Sequence, residues 1–403
     1  MINLSFYIAL ILLSLNQLVS VSKGGGLNIY LFDIGVGIFS LLGSFYFLAV
    51  KKSFKLPKYS LLFFIFLVIA LSSLVLVSSN YSTSDLAVGF FYILRLFFYV
   101  LAGAVVYNMV DKGLLRKADL EDVFIYSGLL LSLAGFIQLI ILPDFTTLDS
   151  GLGWDPHKNR LASTFFDPNF LGAYLVMCIT LLLEKFYPDS RKKLSKIDKG
   201  VEKKYYVYFL VILLALFFTF SRSAWGMLFV VILFYGLIRS RNLLYVAFFI
   251  AFLAYFAIPR IQTRISGITD PADSASLRLV SWNDTLEIIK DNFWFGVGFN
   301  TFRYVQKDYG FILAGEEEVH SGAGSDSSLL FVLATTGIFG FLVYLFALIL
   351  PALEAFSKKN SGWLVILALV VAFLLESQFI NSLFYPQIMF FLFCLLFNFS
   401  SGW

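Results

Sequence analysis

Twelve stretches of this chain are apolar over, or nearly over, the roughly 20 residues that a helix needs to cross a bilayer. They lie at about 3–22, 29–50, 59–79, 86–110, 123–142, 169–187, 205–220, 224–238, 243–258, 326–350, 362–382 and 384–399. Apolar residues make up 59 % of the chain and charged residues 14 %, against about 45–50 % and about 25 % in soluble proteins. There is too little polar surface to face water, and far too much apolar surface for a disordered chain. Lipid is the solvent for most of this protein.

The basic residues give the expected topology. Cytoplasmic loops carry the excess of Lys and Arg. With the N-terminus inside, the inner loops hold Lys51, Lys52, Lys55 and Lys58, then Lys112, Arg116 and Lys117. The lysine-rich 189–204, then Arg239 with Arg241, then Lys358 with Lys359 follow, while the outer loop 78–85 has no basic residue. The alternation predicts twelve spans with both termini in the cytoplasm. No basic residue precedes the first run, which carries Asn16 and Gln17 near its end, so it reads as an uncleaved span. The net charge of +4 is then a set of topology anchors, with no footprint for nucleic acid. Cys178 and Cys394 sit inside apolar runs and read as buried hydrophobes, neither a disulfide nor a metal pair. The expected fold class is all-α: a polytopic helical bundle forming one membrane domain over 1–403. Two outer segments interrupt it, 143–168 and the long 259–325, and a loop of the latter length is usually functional.

Several polar residues fall where charge is costly. Arg95 lies in the outer half of the fourth span and marks either a functional cavity or a structural ion pair. Glu376, at similar depth in the eleventh span, is its candidate partner. Spans seven and eight are short, so their junction Ser221-Arg222-Ser223 should lie below the outer surface, in a cavity open to the outside. Within the long loop, 274–290 has helical character, with Arg278, Trp282 and Leu286 recurring on one face. Gly296 and Gly298 suit a tight turn or close backbone approach. Glu316, Glu317, Glu318, His320 and Asp326 cluster before the tenth span. Three consecutive Glu cannot all face one ion, which argues for a solvated acidic loop over a metal site; His320 suits a general base near neutral pH.

These motifs resemble the O-antigen ligase and O-antigen polymerase family. Arg160-Leu161-Ala162-Ser163-Thr164-Phe165-Phe166-Asp167-Pro168-Asn169-Phe170-Leu171-Gly172 is similar to its R-x-x-G-T-F-x-N-P-N-x-L-A stretch. Ser221-Arg222-Ser223-Ala224-Trp225 looks like its S-R-S/G-A junction, and Arg278, Trp282 and Gly296–Phe302 like its R-x-x-x-W helix followed by G-x-G-x-x-x-F. Asp326-Ser327-Ser328-Leu329-Leu330 through Gly337-Ile338-Phe339-Gly340 resembles the start of the span after its large loop. The resemblance covers about 155–345. The chain departs from it at Asp326, where many ligases carry His, at Asp167, where Asn is common, and at Phe293 or Trp294, one of which stands where Pro is frequent.

The resemblance implies an enzyme of surface-polysaccharide biosynthesis, bacterial in origin. It would transfer a glycan from an undecaprenyl-type polyprenyl-diphosphate donor to a glycan or lipid-linked hydroxyl acceptor, outside the cytoplasmic membrane. The expected reaction is a metal-independent, inverting glycosyl transfer with no cofactor. Arginine forks hold a diphosphate and stay charged. Arg222 and Arg278 are then the diphosphate ligands, and Asp326 or His320 orients or deprotonates the acceptor. Arg160 and Asn169 shape the cavity, Trp282 lines it and Arg95 forms its floor. Ligase and polymerase stay open, the latter compatible with a separate chain-length regulator. A lipid-linked glycan flippase and a protein O-oligosaccharyltransferase are the alternatives, though a flippase usually shows two related halves with short loops.

Overall fold

The structure, a computed structural model, describes residues 2–22, 27–148, 156–189, 201–267, 274–312 and 324–400. Among them the regular structure is helical apart from a two-stranded antiparallel hairpin of β1 (Ser20–Ser22) with β2 (Ile29–Tyr30). The first half holds α1 (Ile2–Leu15), α2 (Leu31–Phe45), α3 (Ser60–Leu76), α4 (Thr83–Asp111), α5 (Lys117–Ile141) and α6 (Pro168–Phe186). Then come α7 (Lys203–Phe218), α8 (Arg222–Ile238), α9 (Arg241–Ala257), α10 (Pro259–Ser266), α11 (Ser274–Asp291) and α12 (Phe302–Asp308). The chain closes with α13 (Ser328–Lys358), α14 (Trp363–Glu376) and α15 (Pro386–Ser400).

Each of the twelve apolar runs contains a helix. Among the described residues, five helices are long and apolar enough to cross a membrane: α2 with its continuation to Val50, α4, α5, α6 and α13. A sixth is reached if α9 and α10, bent by 97°, count as one span. The other apolar helices are shorter, so length and composition alone stop below twelve.

Helices apolar on every side belong either in a core or against lipid, and this fold uses both. The inner column is α6, α14 and α15; nearly every residue of α15 is buried, and α4, α13 and α6 surround it. Phe124 and Phe391 stack there at 3.8 Å, and Phe63 meets Phe393 edge-on at 4.8 Å. The periphery is inverted relative to a soluble protein. Helix α9 buries none of its residues, and Phe248, Phe252 and Phe256 run exposed along one side. Ile140 on α5 is 82 % exposed. A patch of that extent would drive association in water; against acyl chains it costs nothing.

One helix is broken. At Gly337, φ is 66° and ψ is −172°, inside α13. The helical bond from Ile338 N–H is replaced by one to the Phe293 carbonyl at 2.9 Å. The Ala334 and Thr335 carbonyls instead accept from Val297 N–H (2.9 Å) and Gly298 N–H (3.1 Å). Irregular backbone at membrane depth survives only when its polar groups are satisfied in this way. A Cβ at Gly296 would meet the Thr335 carbonyl carbon at 2.4 Å, and one at Gly337 the Trp294 carbonyl oxygen at 2.2 Å. The two motifs, G-V-G and G-I-F-G, are thus the two halves of one backbone crossing. The glycines serve close approach rather than a phosphate loop, since the N–H groups of Val297 and Gly298 are committed to α13.

Candidate active site

The site begins where the loop before α6 meets the α7–α8 junction. Arg160 is 9 % exposed; its Nε donates to the Thr219 carbonyl at 2.8 Å and its terminal nitrogen to Asn169 Oδ1 at 3.0 Å. The Ser221 hydroxyl donates to the same Asn169 oxygen at 2.9 Å and lies against Ala224 N–H at the start of α8. Leu161 N–H adds a bond to the Phe218 carbonyl at 2.9 Å. Asp167 caps α6, with Pro168 in its first turn, accepting from Asn169 N–H at 2.6 Å; both residue types suit those positions. The two sequence motifs therefore form one junction, in which Arg160 and Asn169 are structural partners.

Close packing fixes that junction. A Cβ on Gly172 would stand 2.6 Å from the Ala224 Cβ. Gly172→Ala is expected to cost about 1–3 kcal/mol by overpacking, read as a lower unfolding midpoint. Adding Ala224→Gly should restore it; a double variant no better than the single one would sink the steric explanation.

Arg222, half-buried in the first turn of α8, donates to the Arg264 carbonyl at 3.1 Å. Arg264 donates back to the Phe220 carbonyl at 3.1 and 3.2 Å. Arg260 donates to the Lys158 carbonyl at 2.6 Å and to the Asn159 carbonyl, and its guanidinium lies 4.2 Å from the Phe220 ring centre. In the sequence both α10 arginines fall inside the long segment 259–325. The available signal was Ile258, Ile261 and Ile265 alternating with Arg260, Gln262 and Arg264 after Pro259, the pattern of a short interfacial helix.

The second wall is α11 against the start of α13. The packed face of α11 runs through Thr285, Ile288 and Ile289, with Leu286 exposed, so the Arg278–Trp282–Leu286 stripe is not the buried one. Over eight residues a helix of 3.6 per turn drifts off a straight line, and Leu286 turns outward. Thr285 donates to the Ser325 hydroxyl at 3.0 Å, and Asp326 N–H to the Ser281 hydroxyl at 3.3 Å. Asp326, half-buried, is therefore tied by its backbone to α11 at Ser281, three residues after Arg278. The Trp282 ring is 5.6 Å from Phe379.

Arg278, on α11, lies within electrostatic reach of the first wall. Its charge acts on both Asp167 and Glu376, and Arg160 acts on Asp167 from the other side. Part of Asp167 stays accessible, yet burial pushes its carboxyl above the usual range, against the two N–H bonds and both arginines. Among the described residues Arg278 makes no hydrogen bond or ion pair, so its fork remains uncommitted.

Three expectations fall elsewhere. Arg95 does not pair with Glu376: its guanidinium meets Asp33 at 2.8 Å and the Asn28 carbonyl, under the Tyr92 ring at 4.8 Å. Depth in the membrane says nothing about lateral neighbours, and Asp33 was hidden inside an apolar run. His320 and Glu316–Glu318 lie outside the described residues. The described histidine, His157, is 5 % exposed and packs, tilted, with its ring centre 4.3 Å from that of Phe145. Burial, reinforced by Arg160 and Arg260, pushes its imidazole down to about 3. It stays neutral at physiological pH and is too weak a base for proton abstraction.

Among known proteins, residues 207–345 match the family model described as O-antigen ligase. The matched stretch contains Arg222, Arg278, Trp282 and Asp326, and leaves Arg160 and Asn169 outside. No curated protein matches the chain. The match supports an O-antigen ligase/polymerase family assignment, and with it glycosyl transfer of that type in surface-polysaccharide biosynthesis. Together with the apolar helices it indicates a multi-pass membrane protein.

Proposed function

We propose that this chain, similar over 207–345 to O-antigen ligases, transfers a glycan from a polyprenyl-diphosphate donor to a hydroxyl acceptor at the outer face of the cytoplasmic membrane. In this reading all twelve apolar helices span one membrane domain, both termini are cytoplasmic, and 143–168 and 259–325 lie outside. The observation that carries it is the bonded junction that brings Arg160, Asn169 and Ser221 together from distant segments, with Arg222 the next residue and Arg278 within electrostatic reach of Asp167. Fixed cations in a poorly hydrated cavity suit a diphosphate, and charge developing on it as leaving group is stabilised without reorganisation.

The acceptor oxygen attacks the anomeric carbon of the donor sugar from the face opposite the diphosphate. The carbon–oxygen bond to phosphate breaks, its electron pair leaves with the diphosphate, and the configuration inverts. Arg222 and Arg278 take the diphosphate oxygens, and no metal ion is needed for that charge. Asp326, or His320 in the same loop, receives the acceptor proton. Arg160 and Asn169 keep the wall in place, and Arg95 supports the floor through Asp33.

Purified protein in liposomes, given a polyprenyl-diphosphate oligosaccharide with and without chelator, tests this reading. A ladder of lengthening glycans that survives chelation is expected of a polymerase, and one transfer that needs a separate acceptor is expected of a ligase. Glycan that crosses the bilayer with no new glycosidic bond would replace this reading with a flippase.

A further inference from the structure

Two residues beside the site hold a backbone conformation that side chains resist. Asn159, directly before Arg160, has φ 51°, and Phe220, two residues before Arg222, has φ 49°. Asn enters the left-handed region comparatively often, but a bulky Phe there is an outlier. Such a conformation persists only where its surroundings over-determine it. At both places the surroundings include an arginine of α10. Arg260 donates to the Asn159 carbonyl, and Arg264 donates to the Phe220 carbonyl from Nε and a terminal nitrogen, at 3.2 and 3.1 Å. Phe220 N–H closes the turn on the Phe217 carbonyl at 3.1 Å, and the Arg260 guanidinium covers the Phe220 ring.

The hold is reciprocal. Arg222 Nη1 donates to the backbone carbonyl of Arg264, whose own side chain grips the turn from which α8 starts. The path runs from the Arg264 fork to the Phe220 carbonyl, through the Ser221 cap to Arg222, and back to Arg264. Helix α9 buries none of its residues, whereas α10 buries Ile261 and makes these polar bonds. A long arginine side chain serves a reacting group only when something fixes its direction. We propose that Arg264 is a positioning residue for the transfer, holding the left-handed turn before α8 through its fork and the direction of Arg222 through its carbonyl. The proposal rests on the transferase reading above, in which Arg222 meets the diphosphate. Arg264 acts through Arg222 and does not touch substrate.

The test compares Arg264→Met with Arg264→Gln in full-length protein in liposomes given a polyprenyl-diphosphate oligosaccharide. Both remove the charge and keep an unbranched chain of similar length. Only Gln keeps a donor, since its Nε2 stands as many bonds from Cα as the arginine Nε that reaches Phe220. Single-turnover transfer is followed well below the lowest unfolding midpoint, so that lost fold is not counted. Arg264→Met should slow transfer by ~10–10²-fold, the scale of a misplacement near 1 Å, and Arg264→Gln should recover most of that loss. Added to Arg222→Ala, Arg264→Met should cost nothing further, because residues that act as one unit are not additive. Several results overturn the role: a Met variant at the wild-type rate, a Gln variant as slow as Met, or a full further loss on top of Arg222→Ala. A Met variant that does not fold makes Arg264 a folding residue, and Arg222→Ala at the wild-type rate removes the group it aims. Wild-type transfer beside an unaffected Met variant leaves the transferase reading standing alone; wild-type protein that makes no product overturns both.

Discussion

Arg278→Ala should lower single-turnover glycan transfer by ~10²–10³-fold, the cost of removing one preorganised donor to developing negative charge. Among the described residues no partner claims the guanidinium, so its fork is available to an incoming diphosphate. The charge also matters before substrate arrives, because Asp167 and Glu376 both feel it. Alanine takes the counter-charge from Glu376 and leaves Asp167 with Arg160 alone, which costs some stability as well. Arg278→Lys separates the two effects. Lysine restores the charge but not the bidentate geometry, so it should recover the unfolding midpoint while transfer stays well below wild type. Arg222→Ala should lose rate on the same scale, with the α10 contact through the Arg264 carbonyl lost too. Wild-type product from Arg278→Ala would remove Arg278 from the mechanism; a lost fold in both Ala and Lys variants would make it a packing residue.

The helices were legible because the signal is length and hydrophobicity, and both are local. The polar junction was half legible. Residue types and order in 160–172 and 221–225 marked a site, but the sequence carried no sign that Asn169 Oδ1 joins Arg160 to Ser221. That bond belongs to tertiary packing across Gly172. The break at Gly337 was unreadable for the same reason: a helix-compatible run becomes irregular only because the 293–298 segment supplies replacement hydrogen bonds. Asp33 was missed by averaging, since one carboxylate barely lowers the hydropathy of twenty apolar residues. Glu376 was noticed by its depth and given the wrong neighbour. Its true surroundings, Ser382 and Arg278, come from two other segments.

Asp33→Ala should cost about 3–5 kcal/mol, because it leaves a buried guanidinium unpaired. Arg95 shows 7 % of its side chain and Asp33 12 %, and they meet at 2.8 Å. Asp33 also accepts from the Tyr99 hydroxyl and from Tyr30 N–H, both at 2.9 Å, which ties the start of α2 to α4. Replacing both charges by apolar groups of similar volume, Asp33→Leu with Arg95→Met, should recover most of the loss, since neither charge then remains to be solvated. Unfolding midpoints of the single and double variants give the coupling. If Asp33→Ala matches wild type, the pair contributes nothing; if the double variant is no better than the singles, the loss lies in the stranded tyrosine hydroxyl. The same double variant decides what Arg95 is for. As a strut fixed by Asp33, it is dispensable once the pair is replaced, and transfer should proceed near the wild-type rate. A double variant that folds at the wild-type midpoint but has lost transfer would instead put Arg95 on the substrate side of the cavity floor, with Asp33 holding its fork in place.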